Sequence, residues 1–128
     1  MAKTIIASGP VIIENKKVLL NKDHKDEFWK FPGGKIENID NAGLIETAER
    51  EAKEELGIEI EILNPNPFIL YLNKDDKDII LVHFLAKRIG EIKPGDDTKE
   101  WTWLDVNNLP DDIGQNIKPT LKHFGFIK

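Results

Sequence analysis

Three glutamates, Glu51, Glu54 and Glu55, lie within five residues of one another, and their spacing is the feature of the sequence most suggestive of chemistry. Apolar residues recur at helical spacing through residues 42–56, so the three carboxylates project over about 100° of one helix side, beside the face that would be buried. Crowding carboxylates next to a buried face raises their pKa values unless a cation compensates the charge. Mg²⁺ or Mn²⁺ would compensate it well, since both prefer carboxylate oxygens and also bind phosphates.

The residues around the glutamates fit a binding site. Gly33 and Gly34 allow a tight backbone turn that exposes amide and carbonyl groups. Arg50 precedes Glu54 by four residues, within ion-pairing reach on a helix. Each feature alone has an ordinary interpretation, because a helix rich in Glu and Lys is most often a solvated surface and a glycine pair after proline is most often a simple turn. Their conjunction favours a metal and phosphate site.

The chain has 128 residues, the size of one domain, and we predict a single domain over residues 1–128. It contains no cysteine, which excludes disulfides, thiolate nucleophiles and zinc–thiolate sites and fits a cytoplasmic protein. Its longest unbroken apolar run covers residues 68–72, which is far too short to cross a membrane. The N-terminal residues contain no long apolar segment, so we expect neither a secretory signal nor a membrane partner.

The net charge is −5 at pH 7, and its distribution is uneven. Residues 46–61 carry seven glutamates against one arginine and one lysine, so the remainder of the chain is neutral overall. A protein whose acidic residues are concentrated in one place is poorly suited to neutralise the phosphates of duplex nucleic acid, and we expect no such partner. It is well suited to bind divalent cations.

Hydrophobic patterning predicts several strands and two helices. A hairpin with a polar central turn is predicted over residues 9–23, and a short strand before the glycines should end at Pro32. The first helix should cover residues 42–56 and stop at Gly57. The other predicted elements are strands at 58–63, 67–73, 78–89 and 99–106 and a C-terminal helix at 115–124 with Pro119 in or near its first turn. Strands combined with two helices indicate an α/β or α+β layered domain with a mixed sheet.

The segment GGKIE…REAKEELGI resembles the Nudix box of the Nudix hydrolases, whose pattern is G-x5-E-x7-R-E-U-x-E-E-x-G-U, with U a bulky aliphatic residue. The second half is matched position by position, with a small Ala52 at its first U; the matching residues are Arg50, Glu51, Glu54, Glu55, Gly57 and Ile58. The flanking segments FWKFPGGK, VIIENKKVLLNKD and EWTWLDVNNLP also look like the family, so the resemblance covers most of the chain. It implies a Nudix-type α/β/α sandwich with a mixed β-sheet.

The first half of the box departs from the family pattern. Sixteen positions separate Gly34 from Arg50, where the pattern has fourteen, so we infer that two residues are inserted within 38–44. The first Glu of the pattern falls on Ala42. Two acidic residues lie nearby as substitutes, Glu37 and Asp40. The departure bears on the shape of the loop more than on the chemistry, because the resemblance assigns most of the metal binding to the later carboxylates.

The resemblance implies a metal-dependent attack of water on a diphosphate linkage in a nucleoside diphosphate derivative, with Mg²⁺ or Mn²⁺ as the cofactor. Glu54 and Glu55 are then the first candidates for metal ligands, and Glu51 would join them or orient a water. The backbone carbonyl of Gly33 is a further implied ligand. Arg50 would orient the glutamates through ion pairs. Glu51, Glu54 and Arg50 are therefore also the predicted catalytic residues.

The general base is left open between a glutamate of the box and an acidic residue in a later loop. The acids of that loop are Asp96, Asp97 and Glu100. Glu100, which immediately precedes the last predicted strand, is the preferred candidate. Each of the three is equally interpretable as a solvated residue of a polar turn.

Three residues are predicted to bind substrate. Lys22 and Lys35 would contact phosphates as point charges, although lysines are common on surfaces. Trp29 would stack on a nucleobase, although core packing is the commoner role for at least two of the three tryptophans. His83 is predicted to be a structural strand residue rather than a catalytic one.

Three functions remain compatible with the sequence. The first is a Nudix pyrophosphohydrolase acting on a nucleoside triphosphate or related nucleotide in a MutT-like housecleaning role, with ADP-ribose and dinucleoside polyphosphates as alternative substrates. The second is a Nudix-like module that binds a nucleotide or metabolite without cleaving it. The third is an acidic protein whose glutamate helix is only structural. The expected partner is a small-molecule nucleotide, and a homodimer is left open.

Overall fold

A computed structural model describes residues 3–37 and 43–128 of the chain. Within these ranges there are seven strands and two helices, in an order close to the predicted one. Their bounds are β1 (Lys3–Glu14), β2 (Lys17–Asp23), β3 (Gly34–Lys35), α1 (Leu44–Leu56), β4 (Glu59–Ile62), β5 (Phe68–Lys74), β6 (Lys77–Ile89), β7 (Thr98–Asp105) and α2 (Ile117–His123). Neither of the helices in the described ranges is long and apolar enough to cross a membrane.

The described strands form one mixed sheet whose main path runs β4–β6–β1–β2–β7. β1 and β6 are parallel, from Lys3 opposite Lys77 to Ile12 opposite Ala86, whereas the other ladders are antiparallel. β3 pairs with β1 and β5 pairs with β6. Because β1 pairs with three strands, it brings the glycine-containing β3 and the hairpin strand β2 to the same region of the sheet.

One helix covers each face of the sheet. Both faces carry apolar side chains to bury, because successive side chains of a strand point to opposite faces. Ile12 and Leu19 are fully buried on one face, and their neighbours Val11 and Val18 are fully buried on the other. The buried hydrophobic residues of α1 on the first face are Ala48, Ala52 and Leu56, and those of α2 on the second face are Ile117 and Leu121. The predicted fold class, an α+β domain with helices packed on a mixed sheet, is confirmed.

Two tight hairpins confirm the predicted pairing of neighbouring strands. Asn15 and Lys16 join β1 to β2, and Asp75 and Asp76 join β5 to β6. All four residues have positive φ angles between 51° and 63°. Two consecutive residues in this region form the turn whose twist matches that of the flanking strands, and Asn and Asp tolerate this conformation well.

The short strand predicted to end at Pro32 differs in the structure. The chain before Pro32 forms only isolated bridges, such as that of Lys30 with Asn21. The ladder begins after the proline, at Gly34 of β3, which pairs with Ser8 of β1. Proline has no N–H to donate, so the hydrogen-bonded ladder does not continue through it.

The end of α1 was predicted correctly. Gly57 adopts a left-handed conformation with φ 68°, and its N–H donates to the carbonyl of Lys53 at 3.0 Å, which closes the helix. The helix begins at Leu44 in the described ranges. The predicted start at Ala42 falls in residues 38–42, which lie outside the described residues.

Candidate active site

Helix α1 presents its three glutamates at different depths. The side chain of Glu51 is 13% exposed and that of Glu54 is 59% exposed, whereas Glu55 is partly buried. These exposures follow from the position of each glutamate around the helix, because the side that carries the fully buried Ala48 and Ala52 packs against the sheet. The carboxylates therefore lie along the border between the buried and the solvated side of α1, where the helical spacing predicts them.

The glycine pair forms the wall opposite the glutamates. The backbone N–H of Gly33 donates to Glu55 Oε2 at 3.1 Å. Gly34 lies so close to Glu51 that an added Cβ would be 2.3 Å from its Oε1. Glycine at position 34 is what permits this approach, because any side chain would displace the carboxylate. The predicted turn thus places backbone groups directly against two of the three carboxylates.

Arg50 connects two carboxylates to the backbone of β3. Its Nη1 donates to Glu51 Oε1 at 3.0 Å and to Glu54 Oε2 at 3.1 Å. Its Nη2 donates to the carbonyl oxygen of Lys35 at 3.0 Å. A planar guanidinium held at three points fixes the directions of the carboxylates that it binds.

Asn21 of β2 is a site residue that the sequence analysis missed. It is 1% exposed, and its Nδ2 donates to Glu55 Oε2 at 3.3 Å. Its buried Oδ1 has no hydrogen-bond partner in the part of the chain that the structure describes, which is unusual for a buried polar atom. The available signal was the break in alternation, because Asn21 is a polar residue on the same face as the buried Leu19.

Burial raises the pKa of two of the glutamates. For Glu55, burial outweighs the hydrogen bond from Gly33 and the charge of Lys30, and raises the pKa to about 7. Burial also raises the pKa of Glu51, against the opposing effect of Arg50. The ionised forms of both side chains are therefore destabilised, and an added cation would stabilise them.

Lys30 adds a positive charge next to Glu55. Its Nζ is 3.1 Å from Asp23 Oδ2 and 3.0 Å from Asp26 Oδ2. Burial lowers the pKa of Lys30, but the bond to Asp26 and the charge of Glu55 raise it above the usual value overall. Lys30 is thus firmly cationic, and its charge is shared among several carboxylates rather than committed to Glu55.

The three glutamates line one cavity of about 290 Å³, which we term the glutamate cavity. The other residues that line it are Asn21, Asp23, Lys30, Gly33, Gly34, Asp97 and Thr98. Within the described ranges, no three acidic or histidine side chains already converge as a metal cage. The carboxylates of Glu51 and Glu54 instead accept hydrogen bonds from Arg50. The donor set still fits a divalent cation such as Mg²⁺, because carboxylate oxygens with raised pKa values lie beside exposed backbone groups.

The loop before β7 brings Asp97 to the glutamate cavity. Thr98 Oγ1 donates to the carbonyl of Glu55 at 2.8 Å, and the N–H of Gly95 donates to the same oxygen at 3.0 Å. These bonds satisfy a backbone acceptor at the C-terminal end of α1. The loop is therefore held against the helix, with an acidic side chain at the cavity.

Glu100, the acid preferred from the sequence, lies elsewhere. It pairs with Lys22 in the ladder between β7 and β2, next to Asn21 rather than opposite it. Residues paired across two strands share a face, and neighbours along a strand do not. Since Asn21 points to Glu55, Glu100 is on the opposite face of the sheet. This geometry favours Asp97 over Glu100 as the loop acid.

The predicted substrate-binding residues do not line the glutamate cavity. Lys22 Nζ is 4.5 Å from the ring centroid of Trp29 and 3.6 Å from Asp112 Oδ2. Trp29 packs against the cluster on the α2 face, as the core-packing alternative predicts. Lys35 is exposed on β3, and the contact it makes with Arg50 is through its backbone carbonyl.

A second cavity of about 220 Å³, here the adjoining cavity, shares Lys30, Gly33 and Gly34 with the glutamate cavity. Its other notable lining residues are Phe31, Pro32, Leu81, Val82, His83 and Asn116. Most of this wall is apolar side chain or backbone, in contrast to the charged wall of the glutamate cavity. The two cavities therefore form an apolar compartment and an acidic compartment that meet at the glycine pair.

The comparison with known proteins decides the family. A family profile described as the NUDIX domain matches residues 4–124, which is nearly the whole chain. The chain belongs to the Nudix family.

Two curated relatives of this Nudix chain are each 33% identical to it. An ADP-ribose pyrophosphatase of Methanocaldococcus jannaschii aligns over 113 residues, which cover 82% of this chain and 64% of the relative. An 8-oxo-dGTP diphosphatase of Buchnera aphidicola aligns over 78 residues, 60% of each protein. The chain thus spans less than two thirds of the length of both relatives. The crystal structure of a MutT Nudix hydrolase from Burkholderia pseudomallei has the same fold, with a TM-score of 0.75 at 21% identity over 94% of this chain and 97% of that one.

Residues beyond the Nudix box complete the site. Asn21, Lys30 and Asp97 join the glutamates from three other segments of the chain. Glu37 contributes to the raised pKa of Glu51, so its charge acts on the site as well. The two inserted residues were predicted within 38–44, and most of that segment, residues 38–42 with Asp40, lies outside the described residues.

Proposed function

We propose that this chain hydrolyses a diphosphate linkage in a nucleoside diphosphate derivative with the help of a divalent cation, Mg²⁺ or Mn²⁺. The observation that supports this most directly is the glutamate cavity, in which Glu51, Glu54 and Glu55 face the backbone of a glycine pair. The raised pKa values of Glu51 and Glu55 favour binding of a cation there, because it would stabilise the ionised carboxylates.

The groups that we propose to hold the cation are the carboxylates of Glu51, Glu54 and Glu55 and the backbone carbonyl of Gly33. When bound, the cation would screen the charge of the diphosphate and lower the pKa of an adjacent water. Asn21 orients Glu55 through its hydrogen bond, and Arg50 orients the other two carboxylates. Groups in such supporting positions set the direction in which the ligand oxygens point.

The proton of the attacking water must pass to a carboxylate of the site that acts as a general base. We propose that Asp97 or a glutamate of the box accepts it, in place of Glu100. Asp97 lines the glutamate cavity, and the loop that carries it is bonded to the end of α1. Glu51 is the alternative acceptor, because it lines the same cavity and its carboxylate is oriented by Arg50.

The proposed substrate is a nucleoside triphosphate or a related nucleotide, in a MutT-like housecleaning role. The relative named 8-oxo-dGTP diphosphatase is consistent with this class. ADP-ribose is the second candidate, because the relative named ADP-ribose pyrophosphatase matches a larger share of the chain. The adjoining cavity would hold one end of either substrate while the diphosphate lies at the glutamates.

A hydrolysis screen of wild type and Glu54→Gln tests the proposal. Both proteins are incubated with Mg²⁺ and then Mn²⁺ against nucleoside triphosphates, oxidised nucleotides, ADP-ribose, nucleotide sugars and dinucleoside polyphosphates, and the products are identified by mass. We expect wild type to cleave one class at a diphosphate bond and Glu54→Gln to lose about 100-fold or more in rate. Glu54 is exposed, so the substitution keeps the volume and the fold while removing the charge.

Glu49→Gln is the matched control, because Glu49 is an exposed glutamate of the same helix that does not line the glutamate cavity. It should retain the wild-type rate. Equal rates for Glu54→Gln and wild type would remove Glu54 from the proposed site. Nucleotide binding by wild type without cleavage in either metal would identify a binding module instead of a hydrolase.

A further inference from the structure

The outer edge of β5 has no strand beside it in the part of the chain that the structure describes. β5 pairs only with β6, from Phe68 opposite His83 to Lys74 opposite Lys77. β1 occupies the other side of β6, and β4 pairs with the far half of β6 on the same side as β5. The seven residues of β5 therefore form an edge strand whose outer side is open to another strand.

The turn between β5 and β6 determines which backbone groups of β5 point outward. Asp75 and Asp76 form a two-residue turn with positive φ angles. The residues that flank such a turn, here Lys74 and Lys77, form a hydrogen-bonded pair, and bonded and non-bonded pairs alternate along the ladder. The residues of the non-bonded pairs direct their N–H and C=O groups to the open edge, where no other described segment bonds to them. These outward residues are Ile69, Tyr71 and Asn73.

Two of the outward residues also expose large apolar side chains. Ile69 is 54% exposed and Tyr71 is 58% exposed. They pair with Val82 and Ile80, which pack against the core on the α1 face, so their side chains lie on that face of the sheet. The hydroxyl of Tyr71 is already satisfied, because it donates to Asp78 Oδ1 at 2.6 Å. Open backbone groups and uncovered apolar surface are thus found at the same two residues.

The edges formed by β7 and β4 have features that hinder pairing with a further strand, and β5 has none of them. β7 carries the charges of Lys99, Glu100 and Asp105, and its ladder with β2 has a register shift. β4 has only four residues, two of which are glutamates. Residues 68–73 of β5 contain no charge and no proline, and their register with β6 is regular. Because charges, irregular ladders and short length are the usual protection of an edge, β5 is an unprotected one.

The sequence of β5 is complementary to itself in one antiparallel register. Two copies related by a two-fold axis can pair Ile69 with Tyr71 of the partner subunit, since both residues direct their backbone groups outward. On the opposite face, the same register places Phe68 against Leu72 of the partner subunit and brings the two copies of Leu70 together. Each apolar side chain thus meets another apolar side chain, which is the pairing that stabilises neighbouring strands.

The residues around β5 are compatible with this register and limit it to two copies. Pro67 precedes the strand and has no N–H to donate, so the paired segment ends there. Residues 63–66, which would lie opposite the charged turn of the partner subunit, carry no charge, so like charges do not meet. Because β5 supplies one open edge per chain, a two-fold pair uses both edges and the assembly closes.

We propose that the outer edge of β5 is a homodimer interface, at which the β5 strands of two copies pair in antiparallel, with Ile69 opposite Tyr71 of the partner subunit. The paired segment is short, so the interface is smaller than the roughly 1,600 Å² of a standard one, and the dimer should be reversible with a micromolar Kd. The described residues that line the glutamate cavity and the adjoining cavity include none from β5. Each copy therefore keeps its own site, and the interface does not depend on the proposed hydrolysis.

The first test is the mass of the metal-free wild-type chain in solution. Analytical ultracentrifugation is performed from low micromolar to submillimolar concentration. We expect the average mass to rise from that of one chain to that of two. A single chain at every concentration, or growth beyond two chains, would overturn the inference.

Amide hydrogen exchange tests whether the contact is a pairing of strands. The N–H groups of Ile69 and Tyr71 point to the open edge, so they should exchange about tenfold or more slowly in the dimer than in the monomer. The N–H of Leu70 bonds to β6 in both states and is the internal reference. Equal exchange of the Ile69 and Tyr71 amides in both states would overturn the proposed pairing, because the copies would then meet through side chains alone.

Two substitutions of the exposed side chains test the register. Ile69→Glu and Tyr71→Lys each place a charge opposite an apolar residue at two points of the dimer, so each variant alone should raise the dimer Kd about tenfold or more. In an equal mixture of the two variants, the introduced carboxylate lies opposite the introduced ammonium, and the second pair remains Ile69 with Tyr71. The mixed dimer should therefore form at nearly the wild-type Kd.

Ile89→Lys is the matched control, because Ile89 is 50% exposed and belongs to the same sheet but lies outside β5. It should dimerise like wild type, and thermal melts confirm that all three variants are folded. A dimer that withstands both substitutions in β5, or a mixture that does not restore it, would overturn the inference. If the chain is an active hydrolase, the turnover per chain of Ile69→Glu should equal that of wild type, so that loss of the dimer and loss of hydrolysis are distinguished.

Discussion

Glu55 differs from the other two glutamates in that it is held by groups from outside its own helix. Its carboxylate receives hydrogen bonds from Asn21 and from the Gly33 backbone, whereas Glu51 and Glu54 are bound by Arg50 one and four residues away. Even with two donors, burial raises its pKa to about 7. The hydrogen bonds and nearby charge of the site are thus insufficient to stabilise this carboxylate fully, and a bound cation is the addition that would.

This residue should give the metal-free protein a measurable pH dependence. The folded-state pKa of Glu55, about 7, lies above its ordinary value of 4.5, so the folded state holds a proton that the unfolded state releases. The contribution to stability is fully present below pH 4.5 and is lost as the pH rises to about 7. The free energy of unfolding of wild type relative to Glu55→Gln should therefore decrease across this window, by up to about 3 kcal/mol.

Urea unfolding of both proteins between pH 4 and pH 8, with a chelator present, measures this difference. Glu49→Gln should follow wild type across the whole range. A constant difference between wild type and Glu55→Gln, or one that increases with pH, would contradict the raised pKa.

The end of α1 and the loop before β7 act as one structural unit. The loop donates hydrogen bonds to the last carbonyls of the helix, from Lys93 N–H to Leu56 at 2.7 Å and from Gly95 N–H to Glu55. Thr98, the first residue of β7, donates a further hydrogen bond to Glu55. These contacts satisfy acceptors that a helix end leaves unpaired. They also explain why Asp97, rather than an acid further along β7, reaches the glutamate cavity.

Gly57 is the position at which this unit is most easily disturbed. Its φ of 68° disfavours any side chain, and a Cβ there would also be 2.5 Å from the carbonyl oxygen of Lys93. Gly90 also has a positive φ, 97°, but a Cβ there meets nothing within 4 Å. Gly57→Ala should therefore lower the free energy of unfolding by about 2 kcal/mol or more, and Gly90→Ala by only about 1 kcal/mol.

Chemical unfolding of the two variants measures both costs, and the hydrolysis assay shows whether the loop has moved. Gly57→Ala should lose activity as well as stability, whereas Gly90→Ala should remain active. Equal losses of stability in the two variants would show that the contact with Lys93 adds nothing to the conformational cost.

At the scale of the whole molecule, the site lies where distant segments of the chain meet. β1 pairs with three other strands, β2 contributes Asn21, β3 begins at the second glycine of the pair, and α1 carries the glutamates. Since these segments are arranged around one cavity only in the folded protein, a cation that binds there should bind the folded state and not the unfolded chain. Such binding raises the free energy of unfolding by mass action.

Mg²⁺ should therefore raise the melting temperature of wild type in a concentration-dependent manner, with a gain of about 2.7 kcal/mol at one hundred times its Kd. Glu54→Gln should show a much smaller rise, and Glu49→Gln the full rise. Differential scanning calorimetry with Mg²⁺, and with Na⁺ at matched ionic strength, measures the effect. The absence of a specific Mg²⁺ effect in wild type would support the alternative in which the glutamate helix is only structural.

The sequence by itself determined the features that depend on neighbours along the chain. Helical spacing placed Glu51, Glu54 and Glu55 on one side of α1 within reach of Arg50, Gly57 ended the helix, and the box pattern indicated the Nudix family. Turn residues likewise predicted both hairpins. These inferences succeeded because helix periodicity and backbone preferences act over a few covalently linked residues, whatever the rest of the chain does.

Only the tertiary structure decided which residues from other segments join the glutamates. It brought Asn21, Lys30 and Asp97 to the cavity, turned Glu100 to the opposite face, and set His83 against Asn116. Strand register explains why local sequence patterns did not identify these residues, because a shift of one residue moves a side chain to the other face of the sheet. That register depends on packing between segments tens of residues apart, which local spacing does not encode.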